Sequence, residues 1–465
     1  MSEEKYISVK KIVEITNGNL IYGDENIICK TYSKDTRTIN KGDTYLGIKG
    51  ENFNGSNFYI DALYKGANVC ILQDVEIDSE KIKEYKEIAI VKVQNVEKAL
   101  QKIAEYKRSL YNIPVVGITG SVGKTSTKDI ISSVMAPKYK VLKTQGNLNN
   151  QIGLPLTILS LKDEDALVVE MGMGDLGEIR NLTKIARPDV AVITNVGTSH
   201  IGNLGSRENI LKAKLEIIEG LNENGTLIIN NDNDMLHMWN EKNKMLNVIT
   251  FGIDEKSDFM AENIKLNENS SNYDIEINGE KNNIEINIGG KHFVYNSLCA
   301  IAVGTVFGLS IDEIKKGIEK FELTKSRMEI IKKDKVTIIN DCYNASFDSM
   351  KASIEYLKTQ TGARKIAVLG DMLELGNFSC ELHEKVGNVV GKNNIDILVT
   401  VGKEAKNIAK TAKTSGIDEK CIFEFDNNTE AIKKLKEIIE DNDIILIKAS
   451  NGMNFKEIVE AIKEM

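Results

Sequence analysis

A glycine-rich turn that ends in a lysine and a hydroxyl residue is the strongest chemical signal in the chain: Gly117-Ile118-Thr119-Gly120-Ser121-Val122-Gly123-Lys124-Thr125-Ser126-Thr127-Lys128. Glycines let the backbone curl so that successive N–H groups point at phosphate oxygens, a lysine adds a point charge, and a threonine hydroxyl can reach Mg²⁺. The usual spacing of such a loop would want glycine at 118, where Ile118 stands. The buried run before it and the helical run after it supply the required context, so nucleotide phosphate binding is the working reading and an ordinary glycine-rich turn the alternative.

In a parallel sheet, ligands collect at the carboxyl ends of the strands, so polar residues that close buried runs come next. Glu170 closes Ala166-Leu167-Val168-Val169, which suits a carboxylate reaching a metal held between phosphates. Asn195 closes the following apolar run, and His200 lies in the loop Asn195-Val196-Gly197-Thr198-Ser199-His200. Each alone could be a mere strand-end cap. Lys214 shares one stripe with Ile210, Ile217, Ile218 and Leu221 on a helix beginning near Arg207. Either it snorkels to water from that stripe, or it stays partly buried, loses its charge readily and reacts with CO₂ to give a carbamate, an anionic metal ligand.

The elements that must position these groups follow from periodicity. Stretches 115–119, 141–144, 166–170, 190–194 and 226–230 are β-branched runs separated by helical segments, the pattern of a parallel sheet covered on both faces. Before them, residues 6–95 mix short strands such as 69–72 with turn signals at Lys41-Gly42-Asp43 and Asn54-Gly55-Ser56. A connecting helix follows, with Val96, Leu100, Ile103, Ala104 and the segment 106–110 on its apolar face. Between 258 and 295, Ile264/Leu266, Ile275/Ile277 and Ile284/Ile286/Ile288 alternate with polar residues, which predicts an antiparallel appendage with one wet face. A second α/β series has strands at 336–340, 366–370, 397–401, 422–425 and 444–448. The expected fold class is α/β in three domains: a small N-terminal α/β substrate domain over 1–96, a central P-loop-type parallel-sheet domain over 97–323 and a C-terminal Rossmann-like domain over 324–465.

Bulk properties bound the function. The 465 residues exceed what one core serves. Sixty Lys and Arg stand against 68 Asp and Glu, a net charge of −8 without a long basic run, which argues against nucleic acid as the partner. The start Met1-Ser2-Glu3-Glu4-Lys5 lacks a secretion signal and no stretch is apolar enough for membrane insertion, so a cytoplasmic location is expected. Cysteines at 29, 70, 299, 342, 380 and 421 lack metal-ligand spacing and read as reduced thiols.

Taken in order, Gly120-Ser121-Val122-Gly123-Lys124-Thr125, Gly146-Asn147-Leu148-Asn149-Asn150-Gln151-Ile152-Gly153-Leu154-Pro155, Glu170-Met171-Gly172, the loop from Asn195 to His200 and Ala213-Lys214-Leu215-Glu216 resemble the central domain of the Mur ligase family. Asp341-Cys342-Tyr343-Asn344-Ala345 and Gly370-Asp371-Met372-Leu373-Glu374-Leu375-Gly376 look like the C-terminal signature of those members that add D-alanyl-D-alanine to UDP-N-acetylmuramoyl-tripeptide in peptidoglycan precursor synthesis. The Asp-Asn-Pro type of motif carried by the sister enzyme, which adds the third amino acid to the dipeptide, is not found.

The resemblance implies an ATP-dependent peptide ligase, acting as a monomer with ATP and Mg²⁺ on UDP-N-acetylmuramoyl-tripeptide and D-alanyl-D-alanine. Thr125, Glu170, His200 and carbamylated Lys214 would hold the metal. Gly120, Ser121, Val122, Gly123, Lys124, Thr125 and Ser126 would hold the phosphates, with Asn296 near the adenine and Arg327 and Asp341 reaching phosphates and ribose. Lys124, Lys214, His200, Asn149 and Arg327 would form the catalytic set. Asp35-Thr36-Arg37 and Lys49-Gly50 would carry the UDP-sugar, with Tyr343 and Asn344 as further substrate contacts. The family usually has Asp where Asn340 stands, Asn-Pro where Ser346-Phe347 stand, and Gly-Ser where Ala449-Ser450 follow Lys448. Because the phosphate loop and Arg327 belong to different domains, the complete site is expected to form only when the domains close. A P-loop kinase or ATPase and an ATP-gated binding module share the loop but need no distal domain.

Overall fold

The computed structural model describes residues 5–243, 247–333 and 336–465. Its centre is a seven-stranded, wholly parallel sheet in the order Phe259–Met260, Asn247–Gly252, Thr226–Asn230, Val190–Ile193, Val115–Thr119, Ala166–Glu170, Val141–Lys143. Every residue of Val115–Thr119, Ala166–Glu170, Val190–Ile193 and Thr226–Asn230 is buried, as a sheet with both faces covered demands. Helix Lys124–Met135 packs on Lys291–Val306 and Ile311–Glu319, while Val96–Ser109 packs on Gly153–Leu159 and Glu178–Ala186. The helix read as a connector is thus part of the central layer's cover. The chain begins this sheet at Val115–Thr119 and winds to either side of it, so the switch point lies at the end of the phosphate-loop strand.

Two strands at one side of this sheet, Asn247–Gly252 and the edge strand Phe259–Met260, were not expected. The second is two residues long and carries no periodicity of its own, and it moves the start of the antiparallel appendage from 258 to Glu262. That appendage is a three-stranded sheet of Glu262–Leu266, Ser271–Ile277 and Glu280–Ile286. Tyr273, Ile275, Ile284 and Ile286 point inward as the alternation requires, but Leu266 is exposed. A register shift between Glu262 and Lys265, with Asn263 at φ +52°, breaks the inward and outward order of the first strand.

The N-terminal sheet has the order Asn19–Gly23, Ala89–Lys92, Val69–Leu72, Thr44–Leu46, Tyr32–Ser33, with only its first pair antiparallel. The C-terminal sheet has the order Glu329–Lys332, Val336–Asn340, Asp443–Lys448, Lys365–Gly370, Ile397–Val401, Ile422–Phe425, again with one antiparallel edge. One apolar core runs from Ile7 through the central sheet to Leu446. The far face of the C-terminal sheet has its own core around Ile338, Val368, Val399 and Ile445, and the N-terminal sheet one around Tyr45, Cys70 and Ile90. All six cysteines are free.

Candidate functional site

Above the carboxyl ends of the central strands lies a cleft of about 440 Å³, lined by the phosphate loop, the strand ends and residues of the C-terminal sheet. The loop turns at Gly120, φ +155°, where a Cβ would stand 1.8 Å from the Thr194 hydroxyl. It enters helix Lys124–Met135 through Gly123, φ +83°, a left-handed position that favours glycine. Asn195 pins the turn: its Oδ1 accepts from the N–H groups of Ser121 (3.1 Å) and Val122 (2.9 Å), and its Nδ2 donates to the Val122 carbonyl at 3.1 Å. Lys124 folds back over the turn and donates to the Gly120 carbonyl at 2.9 Å. The unpaired N–H groups of the first helical turn then face the cleft, an arrangement suited to anionic phosphate.

Three residues from three elements meet beside that turn. Glu170, buried at the end of its strand, accepts from Thr125 Oγ1 through one oxygen and from Asn149 Nδ2 through the other, both at 2.8 Å. Lys214, from helix Arg207–Leu215, is 1% exposed, so it does not snorkel to bulk water. Among the described residues its amine has no hydrogen-bond partner; burial, and then the Lys124 charge, hold it well below the ordinary lysine range. The helix carrying it is shorter than its apolar stripe: after Leu215 the chain tightens to a 3₁₀ turn, Glu216–Gly220, so Ile217 and Ile218 belong to a different element. Glu216 accepts from the N–H groups of Gly177 (2.7 Å) and Arg180 (3.2 Å), capping helix Glu178–Ala186, whose Glu178 accepts from Gly174 N–H at 2.6 Å.

His200 sits at φ +63°, its Nδ1 2.7 Å from a Glu374 oxygen but without hydrogen-bond alignment. Burial lowers its pKa first, then Lys124; Glu374 acts the other way. Across the cleft, Asn296 accepts from the Thr127 hydroxyl at 3.1 Å, beside Phe251, Phe293 and Tyr295.

The C-terminal sheet closes the cleft. The Arg327 guanidinium lies 3.9 Å from the centre of the Tyr343 ring, and its Nε is buried without a partner among the described residues. The Asp341 carboxylate accepts from Met328 N–H (3.1 Å), Ser353 Oγ (2.7 Å) and Lys448 Nζ (2.5 Å), while Lys448 also donates to the Asn344 carbonyl at 3.0 Å. The departures at 340 and 346 have local partners. Asn340 donates to Glu329 at 2.8 Å, and Ser346 caps helix Phe347–Thr359 as an asparagine would.

The structure therefore brings together Gly120 to Ser126, Asn149, Glu170, His200, Lys214, Asn296, Arg327, Asp341, Tyr343 and Asn344. It does not bring Asp35, Thr36, Arg37, Lys49 or Gly50 to this cleft. On the N-terminal sheet, Arg37 clasps Asp35, holding its carboxyl down at about 2, and Lys49 pairs with Asp74 at 3.1 Å. Sequence reasoning missed His292, whose Nε2 is buried without a partner among the described residues and whose pKa burial depresses to about 4. Its position four residues before Asn296, on the same helix face, was the available signal.

Among the described residues no group of three His, Cys, Asp or Glu side chains could by itself hold a metal. One hydroxyl, one carboxylate, one imidazole and an amine instead form an open donor set. Mg²⁺ fits this, because it commonly takes one or two protein carboxylates and completes its shell with phosphates and water.

Family models described as Mur ligase family, catalytic domain, Mur ligase middle domain, and Mur ligase, glutamate ligase domain match residues 31–108, 118–304 and 326–451. The chain is 37% identical to the UDP-N-acetylmuramoyl-tripeptide--D-alanyl-D-alanine ligase of Bacillus subtilis (strain 168) and 31% identical to that of Escherichia coli (strain K12), covering 98% of both chains in each case. Among solved structures it is similar to MurF from Acinetobacter baumannii, with TM-score 0.89, 29% identity and 99% of each chain covered. It is also similar to the MurF ligase from Thermotoga maritima in complex with ADP, with TM-score 0.81, 30% identity and 94% and 97% covered.

Proposed function

This chain belongs to the Mur ligase family, and from that premise we propose how its cleft performs the family's chemistry. The protein is an ATP-dependent peptide ligase that adds D-alanyl-D-alanine to UDP-N-acetylmuramoyl-tripeptide in peptidoglycan precursor synthesis. A carboxylate does not react with an amine at neutral pH. The γ-phosphoryl group of ATP therefore passes to the tripeptide carboxylate and ADP leaves; the dipeptide amine attacks the acyl carbon, phosphate departs, and the amine loses a proton.

Phosphoryl transfer needs charge neutralisation and in-line placement more than covalent help. Lys124 and the loop amides take the phosphate charge, Asn296 marks the adenine end, and Arg327 reaches the phosphates from its stack on Tyr343. Thr125, Glu170 and His200, with Lys214 as its carbamate, would hold Mg²⁺, which supplies further charge neutralisation. Asn149 aligns Glu170, and Asp341, engaged by three donors, sets the position of the Arg327 segment through Met328. Tyr343 and Asn344 border the amine's approach. The N-terminal segment with Asp35, Thr36, Arg37, Lys49 and Gly50 carries the UDP-sugar, so the substrate spans from that sheet to the cleft. The working units are 1–96, 97–323 and 324–465. On this reading the enzyme is a monomer in the cytoplasm; among the described residues no helix is long and apolar enough to cross a membrane.

The observation that carries this reading is that Arg327, Tyr343 and Lys448 share one cleft with the phosphate loop, which a simple kinase or ATPase does not need. Phosphate release is measured with UDP-N-acetylmuramoyl-tripeptide and D-alanyl-D-alanine, separately and together. Release that requires both is expected; release with UDP-N-acetylmuramoyl-dipeptide and a diamino acid would select the sister enzyme, and release with ATP alone an ATPase.

A further inference from the structure

The C-terminal sheet meets the central unit at a second place that nucleotide binding does not explain. The loop after Lys365–Gly370 lies against the short helix Ile201–Leu204, where Gly202 N–H donates to the Glu374 carbonyl at 3.2 Å. A Cβ on Gly202 would stand 2.6 Å from that oxygen, 2.7 Å from Gly376 N and 2.8 Å from the Leu375 carbonyl carbon, all backbone atoms that cannot rotate away. Gly202 is not in the left-handed region, so alanine suits its own helix and clashes only with the other unit.

The seat brings two unusual residues face to face. His200 and Glu374 both hold φ +63°, a conformation that a non-glycine residue keeps only when its surroundings impose it. Glu374 Oε2 is 2.7 Å from His200 Nδ1; its side chain is 60% exposed, and His200 is its only polar partner among the described residues. His200 lines the nucleotide cleft whereas Glu374 does not. A clamp at Gly197 adds to the seat: the Asp348 carboxylate accepts from Thr198 N–H (3.1 Å) and Oγ1 (3.3 Å), in the space where a Cβ on Gly197 would lie 2.1 Å away.

We propose that Glu374 is a positioning residue for the ligation reaction: seated against Gly202, it fixes the ring of His200, so that the catalytic cleft is ordered only when the C-terminal unit is in place. A carboxylate 2.7 Å from a ring nitrogen restrains the ring by charge and contact even out of hydrogen-bond line, as partners of functional histidines do, and here that carboxylate comes from another unit. Seating and readiness are thereby coupled without any contact between Glu374 and substrate. The inference rests on the ligase reading above.

The test uses the full chain with Glu374→Ala, Glu374→Gln, Gly202→Ala and, as control, the exposed neighbour Asn203→Ala. Glu374→Ala is expected to lower kcat by about 10- to 100-fold, with KM for the dipeptide unchanged and a higher Mg²⁺ concentration needed for half-maximal rate. Glu374→Gln, which keeps the shape and one acceptor oxygen, recovers part of the loss. Gly202→Ala lowers kcat with an unchanged melting temperature, and small-angle scattering with ADP and Mg²⁺ gives it a larger radius of gyration than the wild type. Unchanged kcat in Glu374→Ala, a loss confined to KM for the dipeptide, or wild-type scattering and rate in Gly202→Ala would overturn the proposal. Scattering reports the seat whichever amine is ligated, so failure of the ligase reading and failure of this inference are distinguishable.

Discussion

Replacing Lys214 by methionine is expected to make the protein more stable and inactive. Lys214 is 1% exposed, its amine borders only the cleft and has no hydrogen-bond partner among the described residues, and a donor so placed costs up to about 1–3 kcal/mol. Methionine keeps the length of the side chain and removes that cost. For a unit of roughly 150–250 residues, 1 kcal/mol moves the melting temperature by about 2–4 °C, so a rise of roughly 2–12 °C is expected at pH 7. The pH dependence has a definite sign. Burial lowers the folded-state pKa below the unfolded value of 10.5, so between the two the unfolded chain binds a proton that the folded chain lacks. Wild-type stability therefore climbs with pH across that window, and the advantage of methionine shrinks as pH approaches 10.5. Melting curves of both proteins in degassed buffer at pH 7 and 9.5 measure this. Adding bicarbonate with Mg²⁺ is expected to raise the wild-type melting temperature and leave the variant's unchanged. Ligation should fall on the order of 10²- to 10³-fold, the loss typical of removing one group that stabilises transition-state charge. A variant that melts below the wild type at pH 7 and still turns over would refute the reasoning.

Lys448→Met should destabilise the C-terminal unit by about 3–5 kcal/mol, because it leaves the buried Asp341 carboxylate without its cation; adding Asp341→Asn should restore most of the urea midpoint followed by circular dichroism, and no recovery would contradict the pairing. Arg327→Lys keeps the charge but loses the planar stack on Tyr343, worth about 1–2 kcal/mol, so kcat/KM for ATP should fall by about 5- to 30-fold; wild-type kinetics would mean that the stack is idle.

The sequence alone determined which groups line the cleft at the end of the central strands. A glycine-rich turn between a buried strand and a helix is local, and so is the rule that buried β-branched runs end at the ligand edge of a parallel sheet; Thr125, Glu170 and Lys214 were legible from position on a single element. The short edge strand Phe259–Met260 was not, because two residues have no period, and Leu266 misled because a bulge reverses the alternation on which the expectation rested. Only the tertiary structure decided what faces what between elements far apart in the chain. Asp341 gained its lysine and His200 its carboxylate from residues 107 and 174 positions away, and His292 its depressed pKa from burial in the docked cleft. Periodicity records whether a side chain is buried, whereas its partner is set by how separate sheets dock, and that docking depends on shape, down to the missing Cβ of Gly202.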